Sequence, residues 1–177
     1  MEESSYKSED KAEALNNNQG ATIYNNSIQK KIFTTACEFL SRRSYSQMEL
    51  KKKLLYKYAD APEEIEQTIS RLVELHYLDD KRYAEDLIRG KTSRKPQGIK
   101  SLQFNLARKG FSNEVIQHAI SNENIDELTL AKTAALKKLQ LLGKFPPAKQ
   151  KEKLYRFLLS RGFGAATIRE IIREYVQ

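Results

Sequence analysis

The sequence is poor in cysteine and in long apolar runs. Its 177 residues include one cysteine, Cys37, so no disulfide can form within the chain. No signal-like apolar segment occurs, and no run reaches the length of about 18 apolar residues needed to span a membrane. These absences predict a reduced, cytoplasmic setting and no membrane partner.

Residues that support metal-dependent or nucleophilic chemistry are also scarce. The two histidines, His76 and His118, are 42 residues apart, and neither has an adjacent cysteine or a carboxylate at ligand spacing on an evident common face. No G-x-S-x-G motif occurs. Gly90-Lys91-Thr92 resembles the end of a phosphate-binding loop, but Glu85 replaces the first glycine of that loop and no strand precedes it. We therefore predict a protein that is not an enzyme and has no metal site or cofactor.

Tryptophan is absent and only nine Tyr and seven Phe occur, so Leu, Ile and Ala must form most of the core. These apolar residues recur with a period of about 52 residues. The leucines that show it most clearly are Leu50, Leu102 and Leu154, and, four positions later, Leu54, Leu106 and Leu158. The period predicts an all-α fold of three tandem three-helix repeats that form an elongated, curved array. We expect a flexible tail at residues 1–25, followed by repeats at 26–78, 79–124 and 125–177.

Helix ends can be predicted from local residue chemistry. Gly110 suits a left-handed helix end, and Ser112 suits the N-cap of the next helix. Phe111 and Ile116 have the spacing of a hydrophobic staple, and Ser46-Gln-Met-Glu49 has the pattern of a capping box. A further helix is expected to begin with Asp79 or Asp80 as its N-cap.

The formal charge is +8, and its distribution is uneven. Leu87 to Asn113 contains seven Lys or Arg and no acid, whereas Asp60 to Asp86 contains nine acids and three bases. Such blocks favour an anionic partner. Tyr83 and Phe104 are candidates for stacking on bases, but their helical spacing is more typical of core residues. The basic residues that we assign to binding an acidic protein surface or DNA phosphates are Arg42, Arg43, Lys51, Lys52, Arg82, Arg89, Lys91, Arg94, Lys95, Lys100, Arg108 and Lys109.

Three segments together resemble the RecX family of bacterial regulatory proteins. They are RRSYSQMEL, LVELHYLDDKRYAEDLIRGK and GIKSLQFNLARKGFSNEVIQHAI, and the resemblance extends from about Ile28 to the C-terminus. It implies a protein that is not an enzyme, binds the RecA filament on DNA along its groove, and inhibits the recombinase and coprotease activities of RecA. We expect a monomer that also lowers the ATPase activity of RecA. One departure is His76, where the family usually has glycine. The matching positions are Arg43, Ser46, Glu49, Leu50, Tyr77, Asp79, Asp80, Tyr83, Ala84, Gly98, Leu106, Lys109 and Gly110.

Two other functions fit the same residues. The helices joined through Gly110 resemble a helix-turn-helix, so the protein could bind single- or double-stranded DNA directly, without RecA. A helical-repeat adaptor for some other protein would carry the same apolar frame. A binding measurement distinguishes the three functions: binding to RecA favours the RecA regulator, tight binding to DNA without RecA favours the DNA-binding protein, and binding to neither favours the adaptor.

Overall fold

The computed structural model describes residues 27–176, and the chain forms nine α-helices and no strand within that range. The predicted all-helical fold is confirmed, while the predicted tail at residues 1–25 lies outside the described residues. None of the described helices is long and apolar enough to cross a membrane. The helices are α1 (residues 27–42), α2 (Gln47–Lys57), α3 (Pro62–Glu74), α4 (Asp80–Arg94), α5 (Ile99–Arg108), α6 (Asn113–Asn122), α7 (Glu127–Leu142), α8 (Pro147–Ser160) and α9 (Ala165–Tyr175).

Side-chain caps set the N-termini of several helices, as their residues predict. The Ser46 hydroxyl accepts a bond from the Glu49 amide at 3.1 Å, and the Glu49 carboxylate accepts one from the Ser46 amide at 3.2 Å, which completes the capping box of α2. Asp79 caps α4 by accepting from the Arg82 amide at 3.0 Å. Ser112 caps α6 in the same way. The predicted caps are confirmed.

Gly110 ends α5 with a φ of 83°. Its amide donates to the Ala107 carbonyl at 2.9 Å, and the next amide, that of Phe111, donates to the Leu106 carbonyl at 3.4 Å. This is the Schellman arrangement, which satisfies the last carbonyls of a helix. The side chains of Phe111 and Ile116 then meet in one buried cluster, as the predicted staple requires.

The described chain divides into two compact units between Leu78 and Asp79. In the first unit, α1, α2 and α3 enclose one apolar core. The fully buried residues at its centre include Ile32, Leu50, Leu54, Ile65 and Leu72.

The second unit contains two apolar clusters, each of which is enclosed by three helices. We call α4–α6 the middle module and α7–α9 the last module. The middle module is built around Ile88, Leu102 and Leu106, and the last module around Leu154, Leu158, Phe163 and Ile168. Leu102 and Leu106 thus hold the same places in the middle module as Leu154 and Leu158 in the last.

A junction of backbone contacts joins the middle module to the last module. The Gly98 amide donates to the Arg161 carbonyl at 2.9 Å, and a Cβ on Gly98 would lie only 2.2 Å from the Gly162 carbonyl oxygen. Glu127 bridges the same junction, because its carboxylate accepts hydrogen bonds from the Ile99 amide at 2.9 Å and from the Thr167 hydroxyl at 3.1 Å. The absence of a side chain at Gly98 therefore permits this close approach.

Candidate partner-binding surfaces

The outward face of α5 presents a row of three residues that we call the α5 row: Lys100, Phe104 and Arg108. They are spaced by four residues and lie opposite the buried stripe of Leu102 and Leu106, so all three are exposed. The Phe104 ring is 63% exposed, and the Arg108 guanidinium lies 5.8 Å from its centroid. An exposed ring between two cations can contact an anionic partner through both charge and apolar surface.

Phe104 and Tyr83 have different environments although both have helical spacing. Tyr83 is half-buried, and its ring meets Phe111 edge-to-face with centroids 5.6 Å apart, so its interpretation as a core residue is confirmed. The same interpretation is wrong for Phe104. The positions of Leu102 and Leu106 define the buried face of α5, and from them the sequence predicts that Phe104 lies on the opposite, exposed face.

The end of α4 adds further cations beside the connection to α5. Arg94 and Lys95 are exposed and Lys91 is half-buried. Lys91 and Arg94 lie in the last turn, where the helix dipole favours positive charge, and this gives them a structural role as well. The helix itself extends to Arg94.

The block from Leu87 to Asn113 contains no acidic residue, but acidic side chains from outside the block contact it in the fold. Arg89 pairs with Asp86, one turn earlier on α4, and with Glu123 at the end of α6. The hydrogen bond to Asp86, together with the nearby charges, raises the pKa of Arg89. The Lys109 ammonium donates to the Tyr83 hydroxyl at 3.3 Å. Arg82 is exposed in the first turn of α4.

In the first unit, the predicted basic residues have separate roles. The Arg43 guanidinium lies 3.6 Å from the centroid of the Tyr45 ring and 3.7 Å from the Glu49 carboxylate. Lys51 pairs with Glu66 on α3. Arg42 and Lys52 are exposed.

Two neighbours of Lys52, Tyr56 and Lys57, were not predicted from the sequence as binding residues. Lys53, Tyr56 and Lys57 line one groove with Lys52 and with Phe39 of α1, which we call the α1–α2 groove. Tyr56 is 94% exposed, the largest exposed fraction among the exposed apolar residues of the described chain. Two signals were available: Tyr56 lies off the stripe of Leu50 and Leu54, and residues 27–57 contain eight Lys or Arg against two carboxylates.

The last module carries many lysines, but the residues of α8 that correspond to the α5 row have a different character. At the position that corresponds to Phe104, 52 residues later, α8 has Arg156, which forms an ion pair with Glu152 at 2.7 Å. Lys132 of α7 bonds Glu174 at 3.1 Å, and this bond raises the pKa of Lys132. Across residues 27–176, no group of three or more His, Cys, Asp or Glu side chains is arranged to hold a metal ion.

Comparisons with known proteins agree on one family. Residues 79–120 match the family described as RecX, second three-helix domain, and residues 125–172 match RecX, third three-helix domain. The regulatory protein RecX of Chlorobaculum tepidum is 36% identical over 138 residues, which cover 78% of this chain and 84% of that protein. The regulatory protein RecX of Vibrio vulnificus is 38% identical over 135 residues, 76% of this chain and 86% of that protein. The crystal structure of RecX from Lactobacillus salivarius is 26% identical, with a TM-score of 0.74 over 82% of this chain and 95% of that chain.

Proposed function

This chain belongs to the RecX family of regulatory proteins, and from that premise we propose that it binds the RecA nucleoprotein filament and inhibits the recombinase, ATPase and coprotease activities of RecA. The observation that supports a binding surface is the α5 row, in which Phe104 is exposed between Lys100 and Arg108. Neither cation forms an ion pair with a carboxylate in residues 27–176. The row therefore remains available to acidic side chains of RecA or to nearby phosphates.

The proposed mechanism is steric and electrostatic. Arg94 and Lys95 extend the positive surface from the α5 row to the end of α4. A chain bound across adjacent RecA protomers through this surface hinders filament growth and blocks access of DNA or cleavage substrates. Because the cations are exposed, salt should screen the attraction and weaken inhibition.

Direct binding to duplex DNA through a helix-turn-helix is less well supported. In that geometry the helix after the turn enters the major groove, which here would be α6. That helix contains no Lys or Arg, and Glu114 is exposed in its first turn. A carboxylate facing the phosphates would oppose binding, since phosphate neutralisation by cations supplies most non-specific affinity.

The test is the DNA-dependent ATPase of RecA with substoichiometric amounts of this protein. We expect the wild-type chain to lower the rate, and K100A/R108A to need about tenfold more protein for the same effect, the equivalent of about 1.4 kcal/mol in binding. The matched control is R169A/R173A, which removes two exposed arginines from α9 and should inhibit like the wild type.

Each outcome of this test has a distinct meaning. No change in RecA activity with the wild-type chain would contradict the proposed function. If K100A/R108A keeps its helical circular dichroism and inhibits RecA as strongly as the wild type does, the binding surface does not include the α5 row.

A further inference from the structure

The α1–α2 groove concentrates positive charge that the first unit does not neutralise. Of the two carboxylates between residues 27 and 57, Glu49 is engaged in the capping box and near Arg43, which leaves Glu38 as the only acid on α1. Lys52, Lys53 and Lys57 pair with no carboxylate of the described chain. An anion that enters the groove therefore meets three uncompensated ammonium groups.

Aromatic rings rather than acids hold two of these ammonium groups in place. The Lys53 ammonium lies 4.8 Å from the centroid of Phe39 and 5.8 Å from that of Tyr45. The Lys57 ammonium lies 5.4 Å from the Tyr58 ring and 3.5 Å from the Thr35 hydroxyl. Cation–π contacts position a charge without cancelling it. The groove is thus prepared for an anionic ligand before that ligand arrives.

Tyr56 supplies an apolar surface beside these charges. It follows Lys52 by one helical turn, and its side chain is 94% exposed, so both faces of the ring are open to solvent. An exposed ring among lysines is the arrangement by which proteins bind single strands, because bases stack on the ring while cations follow the backbone. In a duplex the bases are already stacked on each other and cannot use the ring.

We infer that the α1–α2 groove binds single-stranded DNA, with a base stacked on Tyr56 and the adjoining phosphates contacted by Lys52, Lys53 and Lys57. Lysine can fill this role because its compact charge on a flexible stem binds phosphates as a point charge and can follow them at irregular positions. The choice of DNA over RNA rests on the proposed function, since the RecA filament is assembled on DNA.

The test is fluorescence anisotropy with a dye-labelled oligothymidine of about 15 nucleotides, in low salt and without RecA. We expect the wild-type chain to bind, Y56A to bind at least about tenfold more weakly, and Y56F to bind like the wild type because only the ring is needed. The control is Y77A, which removes a 62% exposed tyrosine beside Asp79 and Asp80, and it should leave affinity unchanged.

Salt dependence tests the phosphate contacts separately. The slope of log affinity against log salt concentration is negative, and K53A/K57A should make it shallower by about 1.4, since each phosphate contact with a single strand contributes about −0.7. An unchanged slope would overturn the assignment of those two lysines.

Three further results would overturn the inference: no binding of oligothymidine by the wild type, equal binding by Y56A, or tighter binding of oligouridine. Displacement of oligothymidine by poly-glutamate at equal charge would also overturn it in favour of an acidic protein. Because RecA is absent from this assay, failure here leaves the ATPase result standing, and failure of RecA inhibition leaves DNA binding by the groove standing.

Discussion

Replacing Gly98 by alanine should force the middle and last modules apart. The new Cβ would lie 2.2 Å from the Gly162 carbonyl oxygen, 2.3 Å from its carbonyl carbon and 2.4 Å from the Phe163 Cα. These are backbone atoms, so no side chain can rotate away. To restore ordinary van der Waals distances, the two modules must move apart by more than about 1 Å. That movement breaks the bond from the Gly98 amide to the Arg161 carbonyl. Overpacking costs about 1–3 kcal/mol and an unsatisfied buried backbone group about 1–3 kcal/mol, so we expect a loss of at least about 2 kcal/mol.

Urea unfolding followed by circular dichroism at 222 nm measures this loss. Gly90 provides the control, because it lies inside α4 and an added Cβ would meet nothing within 4 Å. G90A should therefore gain up to about 1 kcal/mol from helix propensity. If G98A unfolds at the same urea concentration as the wild type, the junction does not restrict the size of the residue at this position.

Three further predictions concern the caps, turns and aromatic residues. The hydrogen bond from the Thr129 hydroxyl lowers the pKa of Asp126 below its usual value of 3.8. The carboxylate therefore stabilises the fold fully above pH 3.8, and this stabilisation is lost as the pH falls through the lower pKa of the folded state. The difference in melting temperature between wild type and D126A should shrink in acid, and a constant difference would refute this. His76 has a φ of 57°, so H76G should raise the free energy of unfolding by about 0.5–1 kcal/mol, and a loss in urea unfolding would contradict that. F111A should cost about 3–5 kcal/mol and F104A less than about 0.5 kcal/mol, because Phe111 is buried and Phe104 exposed; equal melting temperatures would contradict this contrast.

Features that depend on a few neighbouring residues could be predicted from the sequence. The capping box of Ser46 and Glu49, the N-cap at Asp79 and the left-handed Gly110 all follow from local backbone chemistry. The positive φ of His76 also fits the position where the resemblance implies glycine. In each case the interacting groups are separated by at most a few positions, so the local pattern contains the whole interaction.

Features that depend on distant residues could not be predicted. Glu123 reaches Arg89 across 34 positions and removes it from the set of uncompensated cations. Gly98 and Gly162 meet only because two modules pack together, and neither residue carries a side chain that would indicate a contact. The exposure of Phe104 is an intermediate case, since the register of α5 predicts it but the general preference of aromatic residues for a core opposes it.

The bridge formed by Glu127 affects hydrogen exchange at two backbone amides of the junction. The Ile99 amide is bound by a carboxylate on α7, and the Gly98 amide by the carbonyl of Arg161 just after α8. Both protons belong to the middle module, yet their protection depends on the last module staying in place. They should exchange with solvent only in openings that separate the two modules, so the exchange rates of these two amides measure how often the junction opens.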